Sequence, residues 1–372
     1  MKKLALIIDS LDKCFPQDGK IRGGANKVSA RLIENFIANP EIELHIFCGL
    51  SSVDKIEGVN DINILGFCPF SDMAGFFEKI KKLLDESSYD IVLSSDVLAP
   101  YGNIMVHSHS VIYKNKNCKP LWLTAILNIL NRKKILKFQN QFTGLNQKVF
   151  AMSDMVKKDY IENTIFDESS IFAVYPGADE PKNLTRRQNK VCTFGIVAGS
   201  AINKGGHMFV AALWLLSLKN NNFKAKIIHS KYKKDVLMKF LLSLFNLGKR
   251  VEILDYNVDM DEFYNELDCL VMPSVNEAFG LVLLEAASYF VPTVASSTAG
   301  SAELLQDGKN GFIFRRQKHG IFNLAAKMNT VLNLFYKDKN RYKEICANAQ
   351  ELSATYTWKR FADEVWEILT TR

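Results

Sequence analysis

Short apolar runs bounded by turn residues alternate with stretches of helical period along the whole chain, and this alternation constrains the fold more than any other feature. LALIID, IELHIFC, INILGF, DIVLSS and NIMVHSH have the length and composition of strands. VSARLIENFIANP, stopped by Pro40, and the stretch from Phe70 to Glu86 have helical spacing. Strands separated by helices build parallel sheets covered on both faces. The pattern favours this plan over an all-helical or all-strand one, and an α/β class follows.

With 372 residues, 48% of them hydrophobic, the chain is long enough for two domains. The turn Pro176-Gly177-Ala178-Asp179 leads into KNLTRRQNK at 182–190, which is polar and aperiodic and reads as a linker. Residues 1–182 and 183–355 are therefore expected to form separate units. In the second, the strands VCTFGIVAG, AKIIHS, VEILDY, CLVMPS and PTVAS alternate with the helices HMFVAALWLLSL, DVLMKFLLSLF, MDEFYNEL and FGLVLLEAASYF. Two Rossmann-like halves of this kind enclose a cleft, and ligands bind at the carboxyl ends of their strands.

The N-terminal LALII is too short for a signal segment and is cut by Asp9 and Asp12, so it reads as a first buried strand. No apolar run reaches the length of about 18 residues that a spanning helix needs. The seven cysteines are odd in number and form no CxxC pair, which argues against a disulfide framework or zinc site and fits a reducing cytoplasm. A cytoplasmic, soluble or peripheral protein is expected.

In CLVMPSVNEAFGLVLLEAAS a strand ends at Pro273, a loop follows, and a helix is expected from about Phe279-Gly280. Unpaired N–H groups and the positive dipole end of that helix suit a diphosphate, which Gly280 would let approach closely. On this expectation Glu277 stands in the loop and Glu285 two turns into the helix, an acceptor for a sugar on either side. An isolated E-x7-E pair would read as a dipole cap and a solvated acid.

PSxxExFGLVLLEA, followed by Pro292-Thr293-Val294-Ala295, Ala299-Gly300-Ser301-Ala302-Glu303 and Asn310-Gly311-Phe312, resembles the donor-binding core of glycosyltransferase family 4, retaining enzymes of GT-B fold. The resemblance is strongest from Cys269 to Phe314 and weak before Phe150. It implies that Glu277 contacts the transferred sugar, that Ala278, Phe279, Gly280 and Leu281 present amides to phosphates and sugar, and that Glu285 holds a ribose. It further implies that Gly23 and Gly24 form a glycine loop under the diphosphate, that Gly199 ends the donor-side strand, and that Lys204 neutralises the leaving diphosphate. GT-B enzymes often return their last helix to the first domain, which assigns 356–372, with Trp358 and Trp366, to that domain. Two departures stand out. Ser200 and Asn203 occupy the place where family members commonly carry an Arg, and Phe290-Val291 replaces a usual glycine.

His107 and His109 end a strand of the first unit, and a strand's carboxyl end faces the cleft in such folds. His109 resembles the family's histidine near the donor sugar, with His107 as the alternative alignment. No companion ligand completes a metal site there. Asp259-Met260-Asp261-Glu262 offers a DxD string but precedes a helix, where Asp259 reads as an N-cap. Neither metal nor cofactor is expected, and catalysis is assigned to His109, Glu277 and Lys204.

Residues 111–150 contain eight Lys/Arg and no acid. Trp122, Ile126, Ile129 and Leu136 share a helical face flanked by Arg132, Lys133, Lys134 and Lys137, the composition of an interfacial helix on anionic lipid. A core helix with solvated lysines is the competing reading. No nucleic-acid recognition motif accompanies the charge. Similar inserts occur in lipopolysaccharide core glucosyltransferases, which the chain also resembles through Ser153-Asp154-Met155 and YPGAD. The function implied is retaining, metal-independent transfer of a hexose from a UDP-sugar to a cell-envelope glycolipid or polysaccharide, peripheral on the inner face of the cytoplasmic membrane. A sugar-nucleotide epimerase, or a non-catalytic module that binds nucleotide sugar, would use the same two-domain plan.

Overall fold

A computed structural model describes residues 1–49, 51–66, 73–95, 102–110, 147–185, 189–198, 203–230, 232–255, 257–317 and 319–371. The chain divides into two units, Met1–Pro176 with Trp358–Arg372, and Gly177–Thr357.

The first unit carries β1 (Lys2–Ile7), β2 (Ile42–Cys48), β3 (Asp61–Ile64), β4 (Ile91–Ser94), β5 (Asn103–Val106), β6 (Val149–Ala151) and β7 (Ile171–Ala173). They form one sheet in the order β3-β2-β1-β4-β5-β6-β7, parallel at every pairing. Leu4 through Ile8 are completely buried, so LALII is a core strand as its composition requires. The short α1 (Leu11–Cys14) follows β1; α2 (Gly24–Ile37), α3 (Met73–Glu86) and α4 (Asp154–Asn163) are the longer helices among the described residues.

The second unit repeats the plan with β8 (Cys192–Val197), β9 (Phe223–Ile228), β10 (Val251–Leu254), β11 (Cys269–Met272), β12 (Thr293–Ser296) and β13 (Phe312–Phe314). Their order is β10-β9-β8-β11-β12-β13, again parallel throughout. The helices are α5 (Gly206–Ser217), α6 (Val236–Leu244), α7 (Met260–Asn265), α8 (Val282–Ser288), α9 (Gly320–Lys337) and α10 (Lys339–Thr355). Asp259 caps α7, accepting from the amides of Asp261 and Glu262 at 2.8 and 3.3 Å. The thiols of Cys192, Cys269 and Cys346 lie in the core of this unit. Burial pushes those of Cys192 and Cys269 up, so they are inert, protonated core groups.

The last helix, α11 (Trp358–Thr370), belongs to the first unit. Its buried residues Trp358, Phe361, Ala362, Val365, Trp366 and Leu369 fall at spacings of three and one, a single stripe on a helix. The Trp366 ring meets Phe36 of α2 edge-on at 6.1 Å, and its indole N–H donates to Glu41 at 3.2 Å. Lys148 donates to the carbonyl of Ile368 at 2.5 Å.

Trp366→Ala removes this contact and costs the first unit about 3 kcal/mol. Hydrogen exchange checks it: amides of Gly24–Ile37 should exchange faster while those of β8 keep their protection, and equal loss in both would contradict it.

Candidate active site

In the second sheet β8 is flanked by β9 on one side and β11 on the other, so the connections leaving β8 and β11 diverge at their carboxyl ends. Lys204 lies on the first connection and Glu277 on the second, and the structure brings them together. Gly205 adopts φ 76°, and a Cβ there would stand 2.2 Å from the carbonyl oxygen of Pro273, so only glycine permits the approach. The amide of Val275 donates to the carbonyl of Asn203 at 2.9 Å and fixes the register between the two loops. Lys204 Nζ donates to the Glu277 carboxylate, and Ser274 Oγ donates to the same oxygen at 3.3 Å.

The backbone of Glu277 is extended. It forms a parallel bridge with Ala299, its N–H donates to Thr298 at 3.3 Å, and its carbonyl accepts from Gly300 at 2.9 Å. The backbone that carries the carboxylate is thus held by the segment 298–300. The Glu277 side chain is 17% exposed and that of Lys204 is 42% exposed. A pair so open to water holds together by only about 0–1 kcal/mol, so the ammonium can exchange its carboxylate for an arriving anion at little cost.

The expected helix start is corrected. Gly280 has φ 98°, which no right-handed helix contains, and α8 begins at Val282 after Leu281. Glu285 therefore stands in the first turn, not two turns in, and helical geometry does not relate it to Glu277. A Cβ on Gly280 would meet Met272 Sδ at 2.8 Å and Glu277 Cγ at 3.1 Å. Phe279 is buried beneath this turn, with Ala278 and Leu281 partly exposed on either side.

Glu285 accepts a hydrogen bond from the Tyr264 hydroxyl at 2.9 Å. Burial first, and the Glu285 charge second, push the Tyr264 phenol up, so it remains a donor. Ser274 and Tyr264 escaped the sequence reading; Ser274 sits in the PS that precedes the motif, whereas nothing local marked Tyr264. Phe290, where a glycine is usual, takes the left-handed backbone itself, at φ 60°.

In the first unit, Gly23 caps α2 at φ 94° and Gly24 is its first residue. No acid occupies the first turn of α2. His109 is buried, with Nδ1 3.1 Å from the Asp159 carboxylate. Asp159 also accepts from the amide and hydroxyl of Ser110 at 2.7 and 2.6 Å. Asp159 was not singled out in the sequence, although Val156, Asp159 and Tyr160 are the buried residues of α4, and an acid on a buried face needs a partner. His107 lies 3.2 Å from Ser95 Oγ, and desolvation pushes its imidazole down to about 4, so it is neutral at physiological pH.

Gly199 and Ser200 lie outside the described residues, as do Trp122, Arg132, Lys133, Lys134 and Lys137.

Residues 190–333, which include Lys204, Glu277 and Glu285, match the family model Glycosyl transferases group 1. An uncharacterized glycosyltransferase of Methanocaldococcus jannaschii is 23% identical over 289 residues, 72% of this chain and 75% of that protein. The crystal structure of WaaG, a glycosyltransferase involved in lipopolysaccharide biosynthesis, superposes with TM-score 0.76 at 15% identity over 99% of this chain and 100% of that one. Anabaena HepE in complex with UDP and glucose gives TM-score 0.72 at 17% identity, covering both chains completely. The fold is that of the GT-B glycosyltransferases, and the comparisons support the glycosyltransferase class for this chain.

Burial pushes Asp159 up, but hydrogen bonds from His109 and Ser110 outweigh it and hold the carboxyl below its ordinary value of 3.8. A depressed carboxyl stabilises the fold above the unfolded value, and that contribution is lost as pH falls through the folded one. Asp159→Ala, which strands His109 and Ser110, should cost the first unit about 3 kcal/mol at neutral pH. In urea titrations the gap between wild type and variant should narrow once pH drops below 3.8. A gap that stayed constant to pH of about 2 would contradict this assignment.

Proposed function

We propose that the chain transfers a hexose from a UDP-sugar, with retention of anomeric configuration and without a metal, to a cell-envelope glycolipid or polysaccharide such as lipopolysaccharide core. The observation that carries this reading is the Lys204–Glu277 pair at the switch point of the second sheet, inside the segment that matches the family model. The UDP and glucose bound by HepE support the donor class, and WaaG supports an envelope acceptor.

In this mechanism Lys204 leaves Glu277 for the diphosphate and meets the charge that develops on it. Glu277, released from the lysine and steadied by Ser274, turns its carboxylate to the hydroxyls of the sugar. The bond from the anomeric carbon to the phosphate oxygen breaks as the acceptor oxygen joins the same face, and that phosphate oxygen takes the acceptor's proton. The amides of Ala278, Phe279, Gly280 and Leu281 bind the donor, the family resemblance adds Gly199 to the donor set, and Glu285, held by Tyr264, accepts from the ribose hydroxyls. The family resemblance assigns His109 to the sugar and Gly23 and Gly24 to the diphosphate. Of the DxD string, Asp259 caps α7 and Asp261 accepts from the Tyr289 hydroxyl, so both serve the fold.

Membrane and acceptor contacts are assigned to Trp122, Arg132, Lys133, Lys134 and Lys137, at the inner face of the cytoplasmic membrane. No helix among the described residues is long and apolar enough to cross a membrane.

The test is incubation with UDP-, GDP- and ADP-sugars, with and without a lipid acceptor extract and EDTA. UDP release that requires acceptor and survives chelation is expected, with Glu277→Ala slower by about 100-fold or more. Equal release by wild type and variant, or release without acceptor, would overturn the reading.

A further inference from the structure

Helix α6 of the second unit presents an apolar face to solvent. Val236 is 77% exposed, Phe240 57% and Leu244 60%, with Leu237 beside them. At about 100° per residue these four side chains span roughly 100° of the helix circumference. Met238 and Leu242 occupy the opposite side and are buried. Beside α6, Trp214 of α5 stacks on Phe245 at 4.8 Å, and Leu218, the residue that follows α5, is exposed. Exposed apolar surface on this scale marks an interaction site.

Its charge surroundings identify the partner. Lys233, Lys234 and Lys239 are exposed around the face. Residues 181–251 contain 14 Lys and Arg and a single acid, Asp235. That acid is turned into the fold: it accepts from the amide of Met238 at 2.9 Å and lies 2.9 Å from His229 Nε2 and 3.3 Å from His207 Nε2. The rim of the face therefore carries Lys233, Lys234 and Lys239, and the one acid of this stretch, Asp235, is engaged internally.

We propose that α6, with Trp214 and Leu218, is a membrane-contact surface that seats on anionic lipid. The apolar arc enters the acyl boundary while Lys233, Lys234 and Lys239 meet lipid phosphates, as interfacial amphipathic helices do. This surface is separate in residues and in unit from the basic segment at 111–150 and does not depend on the sugar chemistry.

The test is cosedimentation of the full chain with phosphatidylglycerol/phosphatidylcholine vesicles and with pure phosphatidylcholine vesicles. The variants are Phe240→Ser/Leu244→Ser, Lys233→Glu/Lys234→Glu/Lys239→Glu and Arg132→Ser/Lys133→Ser/Lys134→Ser, each checked for folding by thermal unfolding. All the α6 substitutions are at exposed positions, so folding should be retained. The apolar pair and the charge reversal should each weaken binding to anionic vesicles about tenfold or more, and the wild type should favour anionic vesicles and release with salt. Wild-type binding unchanged by both α6 variants would overturn the proposal, and loss in the 132–134 variant alone would leave only the basic segment as the membrane contact. No binding by the wild type would overturn both. If light scattering shows a wild-type dimer that Phe240→Ser/Leu244→Ser splits while vesicle binding is unchanged, the face binds a second copy and the proposal falls.

Discussion

Two loops that leave adjacent parallel strands in opposite directions must separate at the carboxyl end of a sheet, and the second unit is built around keeping that opening narrow and polar. The constraint is steric. Gly205 passes so close to the Pro273 carbonyl that no side chain fits, and a Cβ on Gly280 would crowd Met272 and Glu277 at 2.8 and 3.1 Å. With both glycines in left-handed conformations, Lys204 and the Glu277 carboxylate are held on facing loops and meet directly. Everything chemical assigned to this unit depends on that closeness.

The pair is also poised to change partners. A solvent-exposed ammonium bound to one partly buried carboxylate is held weakly, whereas the backbone that carries the carboxylate is held by the Ala299 bridge and the carboxylate keeps the Ser274 hydroxyl as a second donor. An anion that approaches Lys204 competes with one oxygen atom rather than with a network. In the first unit the arrangement is the opposite. His109 is locked by Asp159, which Ser110 holds in turn, so its imidazole is fixed in place.

Much of the sheet architecture was legible because core strands here are continuous apolar runs such as LALI and CLVM, and helices such as α11 carry their buried stripe at regular spacing. The start of α8 was not, because FGLVLLEAASYF has helical composition throughout and only the backbone reveals that Gly280 sits at φ 98°. That single conformation moves Glu285 into the first turn. The hydrogen-bond partners of the site were hidden for another reason: Tyr264 lies 21 residues before Glu285, and Asp159 lies 50 after His109. Periodicity reports which face a residue shares and not what the fold places opposite. The apolar face of α6 was hidden by the same limit, since DVLMKFLLSLF is apolar nearly all round and only the packing determines which side is left in water.

The account rests on Lys204 serving the diphosphate and Glu277 the sugar, and calorimetric titration separates these roles. UDP and UDP-glucose would be titrated into wild type, Lys204→Ala and Glu277→Ala. Lys204→Ala should weaken both ligands about tenfold or more, the worth of one charge-assisted contact to phosphate. Glu277→Ala should leave UDP as tight as in wild type, or tighter, because the lysine is released, and should weaken only the sugar-bearing ligand. Equal losses for UDP in the two variants, or none in Lys204→Ala, would contradict the account.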